Sequence, residues 1–252
     1  MPSVIITGAS SGLGTSLARR YAARGAVLGL VARRNDALQQ LAAQIGPNAV
    51  ACNADVRDPV AMQRAAQDFM QRFGCPDVVI ANAGVSVGTL TEFAEDTEVF
   101  DEIIATNIIG MVHTFQPFIA AMRARGNGAL VGIASVAGLR GLPGAGAYSA
   151  SKAAAIAYLE SLRVELRGSG IAVITICPGY IKTPMTETNP YRMPFIMQPE
   201  IAAEKIIVAI KRKKTFAVIP WQMAWVGWVL KRLPNALYDR LFARAPHKPR
   251  RS

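Results

Sequence analysis

The sequence predicts a doubly wound α/β domain built on a parallel sheet. Short apolar runs rich in β-branched residues alternate with longer stretches of helical periodicity. The runs are almost continuously hydrophobic, which is typical of parallel strands that helices cover on both faces. Short links join these segments, and no linker or internal repeat divides the body of the chain. Alternation of this kind indicates helices packed on both sides of one sheet.

The predicted strands are Val4–Thr7, Ala26–Val31, Ala49–Asn53, Val78–Ala81, Ala129–Ala134, Ile171–Ile176 and Phe216–Ile219. The predicted helices include Leu13–Arg24, Asp36–Gln44, Pro59–Arg72, Thr97–Arg125 and Tyr148–Leu166. Thr183–Pro199 contains four prolines and no clear period, so we expect a long loop there. Trp221–Ser252 follows the last strand and adds nothing to the sheet. We therefore divide the chain into a body, residues 1–220, and a basic, Trp-containing helical extension, residues 221–252.

Charge is distributed unevenly along the chain. The formal net charge is +11, but eleven basic residues and one acid follow position 210, so the rest of the chain is nearly neutral. These basic residues are interleaved with apolar ones and no nucleic-acid-binding module is recognisable, so no nucleic-acid partner is expected. The apolar run Val4-Ile5-Ile6 leads into a glycine turn and not into a signal-peptide core. We expect a cytoplasmic protein, located at the inner face of a membrane if the extension binds one.

Neither the cysteines nor the histidines predict a disulfide framework or a metal site. Cys52, Cys75 and Cys177 are few and scattered, as expected for reduced thiols packed as small apolar groups. His113 and His247 are far apart in the sequence and have no partner at ligand spacing. We expect no metal.

A glycine-rich turn, Thr7-Gly8-Ala9-Ser10-Ser11-Gly12-Leu13-Gly14, joins the first strand to the first helix. Glycines allow the backbone to approach a pyrophosphate, and a helix N-terminus offers free N–H groups and a positive dipole. Three residues separate the first two glycines, which departs from the G-x-G-x-x-G spacing. Taken alone, the turn is as compatible with helix packing as with cofactor binding.

The end of the second strand favours NADP over NAD. An NAD enzyme usually places an acid there, which binds the ribose 2′-hydroxyl. This strand instead ends at Val31-Ala32-Arg33-Arg34, and a guanidinium can hold a 2′-phosphate through two hydrogen bonds. The alternative is that both arginines lie in a solvated loop. Arg33 is the stronger candidate because it is closer to the strand.

Tyr148 and Lys152 are four residues apart among strong helix formers, so their side chains share one helix face. A phenol titrates at about 10, and a neighbouring ammonium would lower its pKa and make it useful in acid–base chemistry. Ser135, just after a predicted strand, can donate a hydrogen bond to a substrate carbonyl. The Tyr-x-x-x-Lys spacing alone is common, and an exposed helix pair is the alternative.

Several motifs occur together in one order: the glycine turn, Asn82-Ala83-Gly84, Asn107, Ser135, Tyr148 with Lys152, and Pro178-Gly179. In this respect the chain from Val4 to about Ile219 resembles the short-chain dehydrogenase/reductase family. The resemblance implies a Rossmann-type, mostly seven-stranded parallel sheet and a homodimer or homotetramer. It also implies an oxidoreductase that transfers hydride between a nicotinamide cofactor, here NADP(H), and a carbonyl or secondary alcohol.

The resemblance also implies residue roles. Tyr148 would transfer the proton, Ser135 would polarise the carbonyl, Lys152 would lower the phenol pKa and bind the nicotinamide ribose, and Asn107 would hold a relay water. Asp55 and Val56 would flank the adenine. The full set of implied cofactor-binding residues is Gly8, Ser10, Ser11, Gly12, Leu13, Gly14, Arg33, Arg34, Asp55, Val56, Asn82, Ala83, Gly84, Tyr148, Lys152, Pro178, Gly179, Ile181 and Thr183.

Two segments indicate the substrate and a partner. The loop after Thr183 is rich in methionine and aromatic residues, which suits a pocket for a hydrophobic ligand, although packing against the body or another subunit fits equally well. Tryptophans 221, 225 and 228 share one helix side between Lys211–Lys214 and Lys231-Arg232, in an apolar stretch shorter than the ~20 residues of a membrane span. This favours a helix resting on an anionic membrane surface over an intersubunit or lid helix that buries the tryptophans in protein.

The sequence therefore predicts NADPH-dependent reduction of a hydrophobic or lipid-like ketone. The alternatives are an NADPH-binding sensor and a membrane-peripheral scaffold, both without turnover. Such proteins usually lose the tyrosine or the lysine, whereas this chain keeps Asn107, Ser135, Tyr148 and Lys152.

Overall fold

Seven parallel strands form one sheet in the computed structural model, which describes residues 1–251. The strands are β1 (Ser3–Thr7), β2 (Val27–Ala32), β3 (Ala49–Asn53), β4 (Val78–Ala81), β5 (Gly128–Ile133), β6 (Ile171–Pro178) and β7 (Phe216–Ile219). Their order is β3-β2-β1-β4-β5-β6-β7, and each predicted strand is present within two residues of its predicted ends. The predicted Rossmann-type sheet is thus confirmed. The order reverses between β1 and β4, which opens a crevice at the carboxyl ends of the strands.

The helices cover both faces of the sheet. They are α1 (Gly12–Ala22), α2 (Asn35–Ile45), α3 (Pro59–Phe73), α4 (Asp96–Ile104), α5 (Gly110–Arg125), α6 (Gly146–Glu165), α7 (Pro184–Glu187), α8 (Pro199–Lys211), α9 (Gln222–Arg232) and α10 (Asn235–Phe242). One apolar core lies between the sheet and α1, α2 and α8. A second, which includes Phe69, Phe115 and Phe118, lies between the opposite face and α3, α5 and α6. Cys52 and Cys177 are buried in this second core.

The long helix predicted over Thr97–Arg125 is divided in the structure. A π-helical turn, Ala105–Ile109, separates α4 from α5 and carries Asn107. Turns of this kind insert an extra residue into a helix and often occur at functional sites. The stretch Asp96–Arg125 is long and apolar enough to cross a membrane by length and composition alone. Because Phe115, Phe118 and Met122 are fully buried against the sheet, we interpret it as a core helix of the domain.

The segment predicted as a long loop, Thr183–Pro199, contains only the short helix α7 and is closed at its base. Lys182 N donates to Met197 O at 2.9 Å, and Met197 N donates to Tyr180 O at 3.0 Å. We call residues 183–198 the substrate loop. Its Phe195 and Ile196 are 50% and 43% exposed.

The extension forms α9 and α10, which pack on the body. Arg140 holds the junction between them, since its Nη1 donates to Leu230 O and Leu233 O, both at 3.1 Å, and its Nη2 donates to Asn235 Oδ1 at 2.9 Å. The same guanidinium lies 4.3 Å from the ring centroid of Tyr238. Trp221, Trp225 and Trp228 nevertheless remain 65%, 62% and 51% exposed.

Candidate active site

A cleft of about 370 Å³ lies at the carboxyl edge of the sheet. Each strand from β1 to β6 ends at it, so residues far apart in the chain meet there. The first cleft residues after these strands are, in chain order, Gly8, Arg33, Ala54, Asn82, Ala134 and Gly179. All the cofactor and catalytic residues expected from the sequence line this cleft, with two exceptions, Gly14 and Asn107.

The glycine turn forms one wall of the cleft. Gly8 has a φ of +67°, a left-handed conformation that suits glycine, and the backbone then leads into the N-terminus of α1. Asn82 ties this turn to the end of β4: its Nδ2 donates to Thr7 O at 3.0 Å, and its backbone N donates to Thr7 Oγ1 at 3.1 Å. The turn is therefore held open toward the cleft, with helix N–H groups available for an anion.

Gly14 does not line the cleft, contrary to the expectation that it contacts the cofactor. A Cβ at this position would lie 2.2 Å from Gly8 O and 2.8 Å from Asn82 Nδ2. The residue must be glycine because α1 packs directly against the turn. Gly14 thus acts on the cofactor site through packing.

Arg33 and Arg34 both line the far end of the cleft. Arg34 Nη2 donates to Ser10 O and Ser10 Oγ, both at 3.3 Å, so its guanidinium lies on the glycine turn. The Arg33 side chain is 50% exposed, and its Nη1 is 3.9 Å from Asp55 Oδ2. Two guanidinium groups therefore frame one end of the cleft.

Asp55 is the one acid among the described residues that line the cleft, and Arg57 neutralises it. Arg57 Nη2 lies 2.6 Å from Asp55 Oδ2. Burial raises the pKa of Asp55, but hydrogen bonds from Arg57 and the charges of Arg57 and Arg33 outweigh it, so the pKa lies below its ordinary value. This end of the cleft consequently keeps a positive balance of charge.

Tyr148, Ser135 and Lys152 lie together near the middle of the cleft. Ser135 follows β5 and begins a short 3₁₀ turn, and its Oγ accepts a hydrogen bond from Ala137 N at 3.1 Å. Tyr148 and Lys152 are one turn apart on α6, with Lys152 Nζ 5.8 Å from the Tyr148 ring centroid. The ammonium donates to Ile133 O at 2.8 Å, so the end of β5 holds both Ser135 and the lysine head group.

Burial sets the proton affinities of these groups. Lys152 is 4% exposed, and desolvation lowers its pKa to about 8. Desolvation raises the pKa of Tyr148, and a hydrogen bond with Ser135 opposes the rise. This direction is opposite to the one expected from the Tyr-x-x-x-Lys spacing. Helical spacing places both residues on one face, but Lys152 directs its hydrogen bond to a carbonyl and desolvation of the phenol prevails.

Asn107, expected to hold a relay water, is buried directly behind the cleft residue Gly84, and its role as a water ligand stays a prediction. Its Oδ1 accepts from Val85 N at 2.9 Å, and its Nδ2 donates to Val85 O at 3.1 Å and Ser151 Oγ at 2.9 Å. It therefore joins the segment after β4 to the helix that carries Tyr148. The π turn directs this side chain inward, a feature that a simple 3.6-residue period does not reveal.

Sequence reasoning missed further cleft residues, of which Thr106 is the most informative. It lines the cleft at 6% exposure, and its Oγ1 has no hydrogen-bond partner within residues 1–251. A buried hydroxyl without a partner is costly, which is acceptable where a ligand completes it. A lone threonine inside an apolar helical pattern carries no signal that could have identified it.

The substrate side of the site is aromatic and apolar. The rings of Tyr180 and Tyr191 are 6.3 Å apart, and burial raises the pKa of both, that of Tyr191 to about 12. The charges of Tyr148 and Tyr180 also bear on Tyr191, which places the three phenols near one another. Met223, which belongs to α9 of the extension, packs against Gly179 on this side of the site.

No group of three metal-binding side chains occurs in the part of the chain that the structure describes. His113 instead faces the backbone, with its Nδ1 3.0 Å from Val56 O.

Comparison with known proteins identifies relatives over nearly the whole chain. The family model described as short chain dehydrogenase matches residues 2–193. An uncharacterized oxidoreductase from Myxococcus xanthus is 40% identical over 238 residues, which cover 93% of this chain and 94% of that protein. A 3-ketoacyl-ACP reductase from Sinorhizobium meliloti has a TM-score of 0.77 at 31% identity, covering 86% of this chain and 97% of that one. An alcohol dehydrogenase from Thermococcus sibiricus, solved with 5-hydroxy-NADP, has a TM-score of 0.78 at 27% identity. The match covers 87% of this chain and 96% of that one.

The contact at Gly14 gives a testable prediction. Gly14→Ala should destabilise the protein by about 1–3 kcal/mol through overpacking, which lowers Tm by roughly 2–4 °C per kcal/mol in a domain of this size. Binding of a nicotinamide cofactor should weaken as the turn shifts. Gly141→Ala is the matched control, because no heavy atom lies within 4 Å of its added Cβ. Thermal unfolding and fluorescence titration with reduced nicotinamide cofactors measure the two effects. Equal Tm and affinity in the two variants would contradict the packing role.

Proposed function

The chain belongs to the short-chain dehydrogenase/reductase family, and we propose that it is an NADP(H)-dependent reductase of hydrophobic ketones. As a member of this family it is an oxidoreductase acting on carbonyl or CH–OH groups. The observation that carries the proposal is the meeting of Tyr148, Ser135 and Lys152 in one cleft with the glycine turn and an arginine pair. An acid–base phenol and a dinucleotide-shaped cleft are what hydride transfer to a carbonyl requires.

The cleft residues fit a dinucleotide phosphate. The N-terminus of α1 and the glycine turn offer donors to a pyrophosphate. Arg33 and Arg34 offer two guanidinium groups for a 2′-phosphate, and Arg57 neutralises the one cleft acid of residues 1–251. When bound, the nicotinamide supplies or accepts the hydride at the carbonyl carbon.

Residues of this chain donate the proton and stabilise the phenolate that its transfer leaves. Ser135 donates a hydrogen bond to the carbonyl oxygen and so polarises the bond that receives hydride. Tyr148 gives its phenolic proton to the same oxygen, which leaves an alcohol and a phenolate. Lys152, held at Ile133 O, places a positive charge near that phenolate and stabilises it as it forms. Burial raises the pKa of the resting phenol, so Tyr148 is protonated near neutral pH, which is the form that the reduction step requires.

The pocket walls support a hydrophobic substrate. Tyr180 follows the cleft residue Gly179 and its ring lies 6.3 Å from that of Tyr191, and Met223 packs against Gly179. Phe195 and Ile196 of the substrate loop remain exposed, which leaves apolar surface for a ligand larger than the cleft.

We also propose that α9 rests on an anionic membrane and that the protein works at its cytoplasmic face. The inner side of α9 contacts the site through Met223, and its outer side exposes Trp221, Trp225 and Trp228. Arg232 lies 4.2 Å from the Trp228 ring centroid, so a cation accompanies the tryptophans. Aromatic side chains beside basic ones suit the headgroup region of a membrane. A lipid-like ketone could then enter the site from the surface that α9 touches.

Tyr148→Phe tests the catalytic assignment. The phenylalanine keeps the ring but removes the proton, so kcat should fall by about 10²- to 10⁴-fold, with NADPH affinity little changed. NADPH absorbance loss with a panel of short to long-chain ketones measures turnover. Tyr158→Phe is the control, because Tyr158 lies on the same helix outside the cleft. Equal activity in Tyr148→Phe would remove the phenol from the mechanism, and a wild type that binds NADPH without turnover would favour a sensor.

Cofactor choice depends on the two arginines. NADPH should bind much more tightly than NADH. Arg33→Ala and Arg34→Ala should each weaken NADPH binding by about tenfold or more and leave NADH binding nearly unchanged. Arg64→Ala is the control, since Arg64 is exposed on α3. Fluorescence titration gives both dissociation constants. Tighter binding of NADH by the wild type would defeat the NADP assignment.

Membrane binding is tested by flotation of the full chain with phosphatidylglycerol or phosphatidylcholine vesicles. The wild type should float with the anionic vesicles and be released by salt, because its cations are screened. The double variant W225A/W228A should lose most of this binding, and Phe100→Ala, an exposed aromatic on α4, should not. Absence of lipid-dependent flotation would reject the membrane proposal, and self-association that the tryptophan variant abolishes would assign this face to a second subunit.

A further inference from the structure

Lys248 is a buried ammonium that the proposed mechanism does not use. It is 8% exposed, and its Nζ donates to Ser86 Oγ at 2.9 Å and to Met185 O at 3.1 Å. Ser86 lies just after β4, and Met185 belongs to the substrate loop. The cleft is lined by Met185 itself and by Val85, the residue before Ser86. One lysine head group therefore joins two separate walls of the active-site cleft.

This arrangement is costly for the protein. Within residues 1–251, Nζ of Lys248 forms no ion pair and contacts only neutral oxygens. Burial accordingly lowers the pKa of Lys248 to about 8. Most lysines extend into water, and burying a cation without a counter-charge costs free energy. The burial of Lys248 therefore calls for a structural reason.

The chain around Lys248 is fastened independently of the lysine. Gly88 N donates to Pro249 O at 2.9 Å. Arg250 Nε lies 2.7 Å from Asp96 Oδ2, and its guanidinium stacks 3.6 Å from the Phe93 ring centroid. We call residues 247–251 the strap. Because these contacts hold the strap on the body, removal of the lysine head group should leave the strap in place.

We propose that Lys248 is a positioning residue which fastens the substrate loop over the active-site cleft. The strap supplies a fixed point on the body, and the hydrogen bond to Met185 O ties the loop to it. The residue touches neither the cofactor nor the reacting atoms, so its effect on turnover passes through the loop. A loop that is held closed excludes water and retains the bound substrate. The inference about turnover rests on the proposed function, whereas the inference about the loop does not.

Trypsin cleavage after Arg192 reports loop opening without any need for activity, because Arg192 is an exposed residue of the substrate loop. The full-length chain is digested briefly, and mass spectrometry follows the fragment that ends at Arg192. In Lys248→Met this fragment should appear at least about fivefold faster than in the wild type, and Ser86→Ala should give a smaller increase. Lys248→Arg should restore part of the protection. Lys205→Met, which changes an exposed lysine of α8, should behave as the wild type.

Kinetics provide the second measurement. Lys248→Met should raise the KM for the ketone about tenfold and change kcat by less than about threefold, because the loop's contacts with the bound ketone are lost in the ground state and the transition state alike while the catalytic groups stay in place. Unchanged cleavage after Arg192 in Lys248→Met would overturn the proposal, as would an equal increase in Lys205→Met. A cleavage difference without any wild-type turnover would instead retain the fastening role and reject the reductase.

Discussion

The reversal of strand order between β1 and β4 is the constraint on which the rest of the structure depends. Chain connections leave β1 and β4 in opposite directions, so a crevice must open above their carboxyl ends. Asn82 closes this junction by bonding Thr7 from the end of β4, and Gly14 lets α1 seat on the same turn. The ends of six strands position Gly8, Arg33, Ala54, Asn82, Ala134 and Gly179, and helix α6 adds Tyr148 and Lys152. A chemistry that requires a phosphate site, a proton donor and a carbonyl pocket can therefore assemble from segments that are distant in sequence.

Desolvation controls the electrostatics of this cleft. It lowers the pKa of Lys152 and raises the pKa of Tyr148, so the resting pair is closer to neutral than two isolated side chains would be. A phenol that retains its proton is a suitable donor to a nascent alkoxide. A nearby ammonium then gains importance as the phenolate forms, because charge interactions are strong where water is excluded. The ammonium of Lys152 therefore stabilises the phenolate that proton transfer produces more than it stabilises the resting enzyme.

Sequence periodicity was sufficient to predict the positions of the strands, because short runs of β-branched residues differ clearly from helical patterns. Placement after strand ends also identified most cleft residues, because parallel strands bring their carboxyl ends to one edge. Local irregularities in the helices and contacts between residues distant in the chain could not be predicted from the sequence. The π turn at Asn107 adds one residue to a helix without a sequence signature, and the bond from Lys248 to Ser86 spans 162 positions. The pKa of Tyr148 is raised because the phenol is buried, and helical spacing alone does not determine the depth of burial.

The division of the chain at residue 220 does not correspond to a physical separation of the site from the extension. Met223 packs on Gly179, Arg140 caps the end of α9, and Lys248 bonds the substrate loop. The extension thus packs against Gly179, a residue of the cleft, and in our proposal it fastens the substrate loop over that cleft. If α9 also rests on a membrane through its tryptophans, a displacement of that helix would act directly on Gly179. In these proposals, entry of a lipid-like ketone and closure of the loop both depend on residues 221–251, the segment that holds the exposed tryptophans and the buried Lys248.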